Sequence, residues 1–144
     1  MKVIDVHAHA IFKETLNSIK ELGPEIGGDQ DNPWFRAGDY KLEGVRYENT
    51  PFMDINLRLD AMESLGVDYQ VLSPNPITYF HFIESEEAIN YCKLHNDTMA
   101  NSISNHRDRL GGFASLPMQD PEAASKELER SIKELGFHGA DRGT

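Results

Sequence analysis

Cysteine is nearly absent: Cys92 is the only one in 144 residues, so no disulfide can form within the chain. That excludes the small secreted domains stapled by disulfides. Long apolar runs are missing too. None approaches the roughly 20 residues of a membrane-spanning helix, and Asp5 and His7 interrupt the first apolar run where a signal peptide would stay apolar. Basic residues are scarce, 14 against 24 acidic, for a net charge of −10. Nucleic acids and anionic membranes reward Lys/Arg patches, so neither is expected as a partner. The acidic residues are dispersed among Lys and Arg on helical stretches, the pattern of a solvated surface. No Gly-rich phosphate loop follows the first apolar run, which weighs against a dinucleotide-binding unit. These absences predict a soluble, cytoplasmic chain.

What is present begins with His7 and His9, at the end of the run Met1 to His9. A strand alternates its side chains, so residues two apart share a face, and both imidazoles can reach one metal ion from the strand's carboxyl end. In a β/α barrel that end faces the active site. Six histidines in 144 residues produce such a pair by chance roughly 0.2 times, so the spacing alone is weak. Two imidazoles also do not complete a site, because a catalytic zinc usually takes three protein ligands plus water.

The hydrophobic fraction of 39% suffices for the core of one domain. Residues 13–50 read as a polar, irregular insertion loop punctuated by Gly23-Pro24, Gly27-Gly28 and Asn32-Pro33. A loop that long is usually a lid or binding insertion, or is disordered; Trp34, Phe35 and Tyr40 favour partial order. From Thr50 the pattern becomes regular. Thr50-Pro51 or Asp54 starts a helix carrying Ile55, Leu59, Met62 and Leu65, which Gly66 stops. Residues 69–73 form a short strand closed by Pro74-Asn75-Pro76. Ser85 is placed to cap a helix with Glu86 and Glu87 in its first turn and Ile89, Cys92, Met99 and Ile103 as its stripe, making Cys92 a core residue. Residues 110–116 are a strand. Asp120-Pro121-Glu122 caps a helix bearing Ala124, Leu128, Ile132 and Leu135 as far as Gly136, and residues 137–142 begin one more strand. Alternation of this kind means parallel strands with crossover helices. A first strand ending in His-x-His favours a barrel over an open sheet.

Ile4-Asp5-Val6-His7-Ala8-His9 resembles the opening of the amidohydrolase superfamily, and more closely its branch containing aminocarboxymuconate semialdehyde decarboxylase and related aromatic-acid decarboxylases. The resemblance extends through Leu57-Arg58-Leu59-Asp60-Ala61-Met62, Gly66-Val67-Asp68-Tyr69-Gln70-Val71-Leu72-Ser73, His95-Asn96-Asp97, the run Arg109 to Pro121, and Lys133-Glu134-Leu135-Gly136-Phe137. Only residues 13–50 match loosely. The resemblance implies a (β/α)8 barrel of the TIM type holding a divalent metal, commonly zinc, with His7 and His9 as two of its ligands. The family's other ligands and its catalytic histidine lie on later strands. A typical barrel takes about 250 residues, so 1–144 reads as one partial domain, the N-terminal half of such a barrel. The implied function is a metal-dependent decarboxylase of a small carboxylic acid, with a homodimer in complete relatives. Two alternatives stand beside it: a hydrolase of a lactone or similar carbonyl compound on the same scaffold, and a catalytically silent chain that needs a partner and binds zinc weakly.

Further candidates carry a second reading each. Asp5 either orients a metal ligand or bonds within the barrel floor. Arg46 falls near an arginine with which the decarboxylases grip a substrate carboxylate, but offset by two residues, and is otherwise a solvated side chain. Asn75 is a substrate-binding candidate on the active-site side, or a turn former between two prolines. His81 lies in the same mouth region, His95 and His106 read as structural, and His138 stays open. Arg142 departs from the family, which tends to place an apolar residue there; a charge on a buried strand costs several kcal/mol, on the order of the usual polar-burial penalty, unless paired.

Overall fold

A computed structural model describes residues 1–142. Four strands, β1 (Ile4–Ala10), β5 (Tyr69–Pro74), β6 (Leu110–Ala114) and β7 (Gly139–Ala140), form one parallel sheet in the order β1-β5-β6-β7. Between them run three helices, α1 (Ile55–Leu65), α2 (Ser85–Ile103) and α3 (Pro121–Lys133). Strand neighbours in space are strand neighbours along this β/α series, the arrangement of a barrel wall and not of a doubly wound sheet with its order reversed. The fold is thus a partial α/β barrel, with β1 and β7 as its edges.

Local chemistry explains the helix ends. Asp54, not Thr50, caps α1: its Oδ1 accepts from the Asn56 and Leu57 amides at 2.8 and 3.1 Å. Gly66 ends the helix at φ +68°, left-handed backbone that glycine adopts without strain. Asp120 caps α3 in the same way, with Pro121 as its first residue. The expected Ser85 cap is corrected. Ser85 is the first helical residue, Glu84 occupies the cap position, and the buried Ser85 hydroxyl finds no partner. Leu65 and Ile132 were expected on buried faces but are exposed. A step of three residues falls about 60° short of a full turn, and a step of four overshoots by about 40°. Repeated steps of one kind therefore carry the last residue off the buried face.

Ala8, Ala10, Leu72, Leu110 and Ala114 from the sheet pack with Met62, Met99, Ile103 and Phe137 as the main core. Gly112 permits that closeness, because a Cβ there would sit 2.8 Å from both Met99 Sδ and Phe137 Cε1. Gly112→Val is expected to destabilise the chain by about 1–3 kcal/mol, the usual cost of overpacking. Equilibrium urea unfolding checks this, and an unchanged midpoint would contradict the packing.

Residues 13–50 are not an irregular loop. They hold two short 3-10 turns and an antiparallel meander of β2 (Glu25–Gly27), β3 (Trp34–Ala37) and β4 (Tyr40–Glu43). Phe35 and Ala37 alternate inward from β3 and join Ile11, Ile19, Tyr47, Phe80, Tyr91 and Cys92 in a second core. Cys92 is buried there as expected, and burial pushes its thiol up to about 12. The last strand is shorter than residues 137–142: Phe137 is core and only Gly139 and Ala140 pair with β6. Arg142 is exposed, so no buried charge arises.

Candidate metal centre

His7 and His9 do come together at the carboxyl end of β1, their ring centroids 4.8 Å apart and edge to face. His9 is half-buried and His7 exposed. His9 Nδ1 lies 2.9 Å from the Pro74 carbonyl. A carbonyl only accepts, so Nδ1 carries the proton and Nε2 keeps its lone pair free. That tautomer suits metal binding through Nε2, and the backbone acceptor holds the ring in place. With His7 beside it, the pair suits a divalent ion as two of its ligands. Among the described residues no group of three or more His, Cys, Asp or Glu is placed to hold a metal ion.

The strand reaches this geometry through an irregularity. Asp5 pairs with Gln70 and Ala8 with Leu72, so three steps along β1 are matched by two along β5. One extra residue in β1 is a β-bulge, which shifts later side chains to the opposite face. Simple alternation would put Asp5, His7 and His9 on one side. Instead Asp5 is drawn toward α1. Its Oδ1 accepts from the His7 amide at 2.9 Å and its Oδ2 from Gln70 Nε2 at 2.7 Å. Gln70 Oε1 accepts from Arg58 Nη1 at 2.6 Å, and Arg58 Nη2 donates to the His9 carbonyl at 2.7 Å. Arg58 is only 6% exposed, and burial lowers its pKa to about 10 against the opposing pull of Asp5. Of the two readings of Asp5, the structure shows the bond within the fold; its contact with His7 is to the backbone amide and not to the imidazole. The reading of isolated motifs passed over Arg58 and Gln70. A signal for Arg58 existed, since it stands three residues after Ile55 and four before Met62, a charge on the apolar face of α1.

The remaining candidates are more scattered. Arg46 is on the surface of the insertion, donating from Nη2 to the Gln30 carbonyl at 2.6 Å, and it lines a cavity of about 500 Å³ with Tyr47 and Asn49. Asn75 is buried with both ends of its carboxamide engaged: Oδ1 accepts from the Ile77 amide, and Nδ2 lies 3.2 Å from the Tyr47 hydroxyl. That is the turn role the sequence allowed, with a tie to the insertion added. His81 stacks parallel on Tyr79 at 5.5 Å and donates from Nε2 to the Arg142 carbonyl. His138 Nε2 shares a 2.8 Å hydrogen bond with the Tyr69 hydroxyl. His95 is fully buried in α2, as a structural residue should be, yet neither ring nitrogen has a partner.

A parallel β/α wall with paired histidines at the end of its first strand is the class of scaffold met in metal-dependent barrel enzymes. The family model described as Amidohydrolase matches residues 4–143, and the chain belongs to that family. The gamma-resorcylate decarboxylase of Rhodococcus jostii (strain RHA1) is 40% identical over 137 residues, which cover 95% of this chain and 37% of that protein. The 2-amino-3-carboxymuconate-6-semialdehyde decarboxylase of Dictyostelium discoideum is 29% identical over 143 residues, 98% of this chain and 40% of that protein. Among solved structures, the dihydroxybenzoic acid decarboxylase from Polaromonas sp. JS666, with bound manganese and the inhibitor 2-nitroresorcinol, superposes with a TM-score of 0.71 at 30% identity, covering 97% of this chain and 38% of that one. The chain thus spans 37–40% of these relatives. No helix among the described residues is long and apolar enough to cross a membrane.

Proposed function

We propose that this chain carries the first-strand portion of a metal-dependent decarboxylase acting on a small aromatic carboxylic acid. The observation that carries the reading is the His7–His9 pair, with His9 Nδ1 committed to Pro74 and Nε2 left available. Kinship with decarboxylases of hydroxylated benzoic acids supports the reaction class. His7 and His9 would hold a divalent ion, which supplies Lewis-acid chemistry at the substrate. Zinc is the ion suggested by resemblance and manganese the one bound in the Polaromonas protein; imidazole ligands accept zinc readily, so zinc remains the proposal. Further ligands would come from outside the described residues.

The chain's other residues then have auxiliary roles. Arg46 offers a guanidinium with donors beyond the one given to Gln30, suited to a substrate carboxylate. Asn75 acts through Tyr47, fixing the insertion against the end of β5. The substrate is a small carboxylate, and neither nucleic acid nor membrane is a proposed partner, in keeping with the net charge of −10.

The test is a chimera in which this chain replaces the matching region of the Rhodococcus protein, assayed with Zn2+ or Mn2+ against hydroxybenzoic acids and, in parallel, lactones. CO2 release is expected from at least one acid, and His7→Ala together with His9→Ala should abolish it, because the ion that supplies the Lewis acid loses two ligands. Lactone hydrolysis without CO2 release would replace the decarboxylase reading with the hydrolase one. The isolated chain is expected to turn over neither.

A further inference from the structure

Arg58, Gln70 and Asp5 form a hydrogen-bonded bridge with an unusual pair of endpoints. It starts at the amide of His7 and finishes at the carbonyl of His9. With the intervening backbone of His7-Ala8-His9 it closes a ring, so the segment carrying both imidazoles is held from both sides. We propose that this bridge is a positioning device: Arg58, relayed through Gln70 and Asp5, holds the β1 bulge in the one geometry that presents His7 and His9 to a common metal ion. The proposal rests on the reading of those histidines as ligands.

Three observations carry it. First, the bulge lies between Asp5 and Ala8, inside the span that the bridge clamps. A strand without it would return Asp5 to the face of His7 and His9. Second, the bridge is costly. Arg58 is buried with its Nε unpartnered, in a position where an apolar side chain would pack without an unsatisfied donor. Burying a charge for stability alone is poor chemistry, because well-packed apolar replacements of buried ion pairs are often as stable or more so. Third, the geometry is directional. Gln70 receives from Arg58 on its oxygen and donates to Asp5 from its nitrogen, so each group has one role and the relay cannot run backwards. Imidazole placement is sensitive to this, since loss of partners behind metal ligands typically costs about 10–100-fold in metal affinity.

The directionality gives a test by polarity swap. Asp5→Asn leaves an acceptor for the His7 amide but turns the other end into a donor. Gln70 must then flip and present its NH2 to Arg58, donor against donor. Gln70→Glu sets two carboxylates against each other. The double variant D5N/Q70E restores every bond: Asn donates to Glu, and Glu accepts from Arg58. Zn2+ is titrated into the 144-residue chain and followed by long-range 1H–15N spectra of the histidine rings, with circular dichroism to select temperatures at which each variant is native.

In the wild type, the Nε2 resonances of His7 and His9 should shift together on one binding curve. Each single variant is expected to weaken binding at least tenfold, and the double variant to recover to within about threefold, the loss and recovery falling within the usual effect of such partners. Native single variants that bind zinc like the wild type would overturn the proposal. So would a well-folded double variant that fails to recover, or single variants that are unfolded at every temperature, which would assign the bridge to stability alone. If zinc leaves His7 and His9 unshifted even in the wild type, the ligand reading itself falls and the proposal with it.

Discussion

Phe35→Ala is expected to cost the chain about 3–5 kcal/mol, the range for removing a fully buried phenylalanine. Phe35 is 0% exposed and lies in an insertion that reads as a loop in the sequence. Its ring meets Tyr47 edge to face at 4.9 Å, and Tyr47 in turn meets Phe52 at 5.0 Å and the Asn75 carboxamide. The second core also includes Tyr91 and Cys92 from α2, so the meander and the parallel sheet share a helix between them. With typical domain stabilities of about 5–15 kcal/mol, the loss would be roughly a fifth of the total or more. Urea unfolding followed by far-ultraviolet circular dichroism and by Trp34 fluorescence checks it. A single coincident transition moved to lower denaturant is expected in both signals. If Trp34 reports melting of the meander alone while the circular dichroism midpoint stays put, residues 13–50 are an appended lid and not part of the fold.

Acidification should destabilise the chain through His95 by about 3 kcal/mol between pH 6.5 and 4. The ring is buried between Phe12 and Tyr91, at centroid distances of 5.3 and 6.1 Å, and neither nitrogen is hydrogen-bonded. The neighbouring Asn96 is already spent, donating to the Ser115 carbonyl and Glu127 and accepting from the Ser115 amide. Burial lowers the imidazole to about 4 from its ordinary 6.5. The unfolded chain therefore takes up a proton in that window that the folded chain refuses, so stability falls as the pH drops from 6.5 and the effect levels off below 4. At about 1.36 kcal/mol per pH unit, the gap of about 2.5 units gives the figure. His95→Leu removes this contribution and also relieves two unpaired buried nitrogens. The difference in stability between wild type and H95L, measured by urea titration at several pH values, should grow toward acid. Parallel curves would mean that His95 is hydrated or paired in solution.

Much of the architecture was legible because it repeats. Asp54, Asp120, Gly66 and the apolar positions of α1 to α3 each announce themselves within a few residues, through caps and helical spacing. Ser85 shows the limit of that logic, since a capping residue type next to a helix start need not be the cap. The meander escaped because its strands are three or four residues long and only β3 buries alternate side chains. Over so short a span, period-two alternation is indistinguishable from chance.

By itself the sequence determined the parallel β/α order, the helix ends at Asp54, Gly66 and Asp120, the core role of Cys92 and the pairing of His7 with His9 on one strand. These depend on contacts between near neighbours in the chain, where spacing and side-chain chemistry are enough. Tertiary structure decided which way that strand faces. The bulge after Asp5, the bridge through Gln70 and Arg58, the commitment of His9 Nδ1 to Pro74 and the folding of Phe35 into a second core all join residues far apart in sequence. A hydrogen bond between distant residues leaves no periodic trace. Its donors and acceptors are selected only when the packed sheet brings them within 3 Å and burial makes an unpaired group expensive.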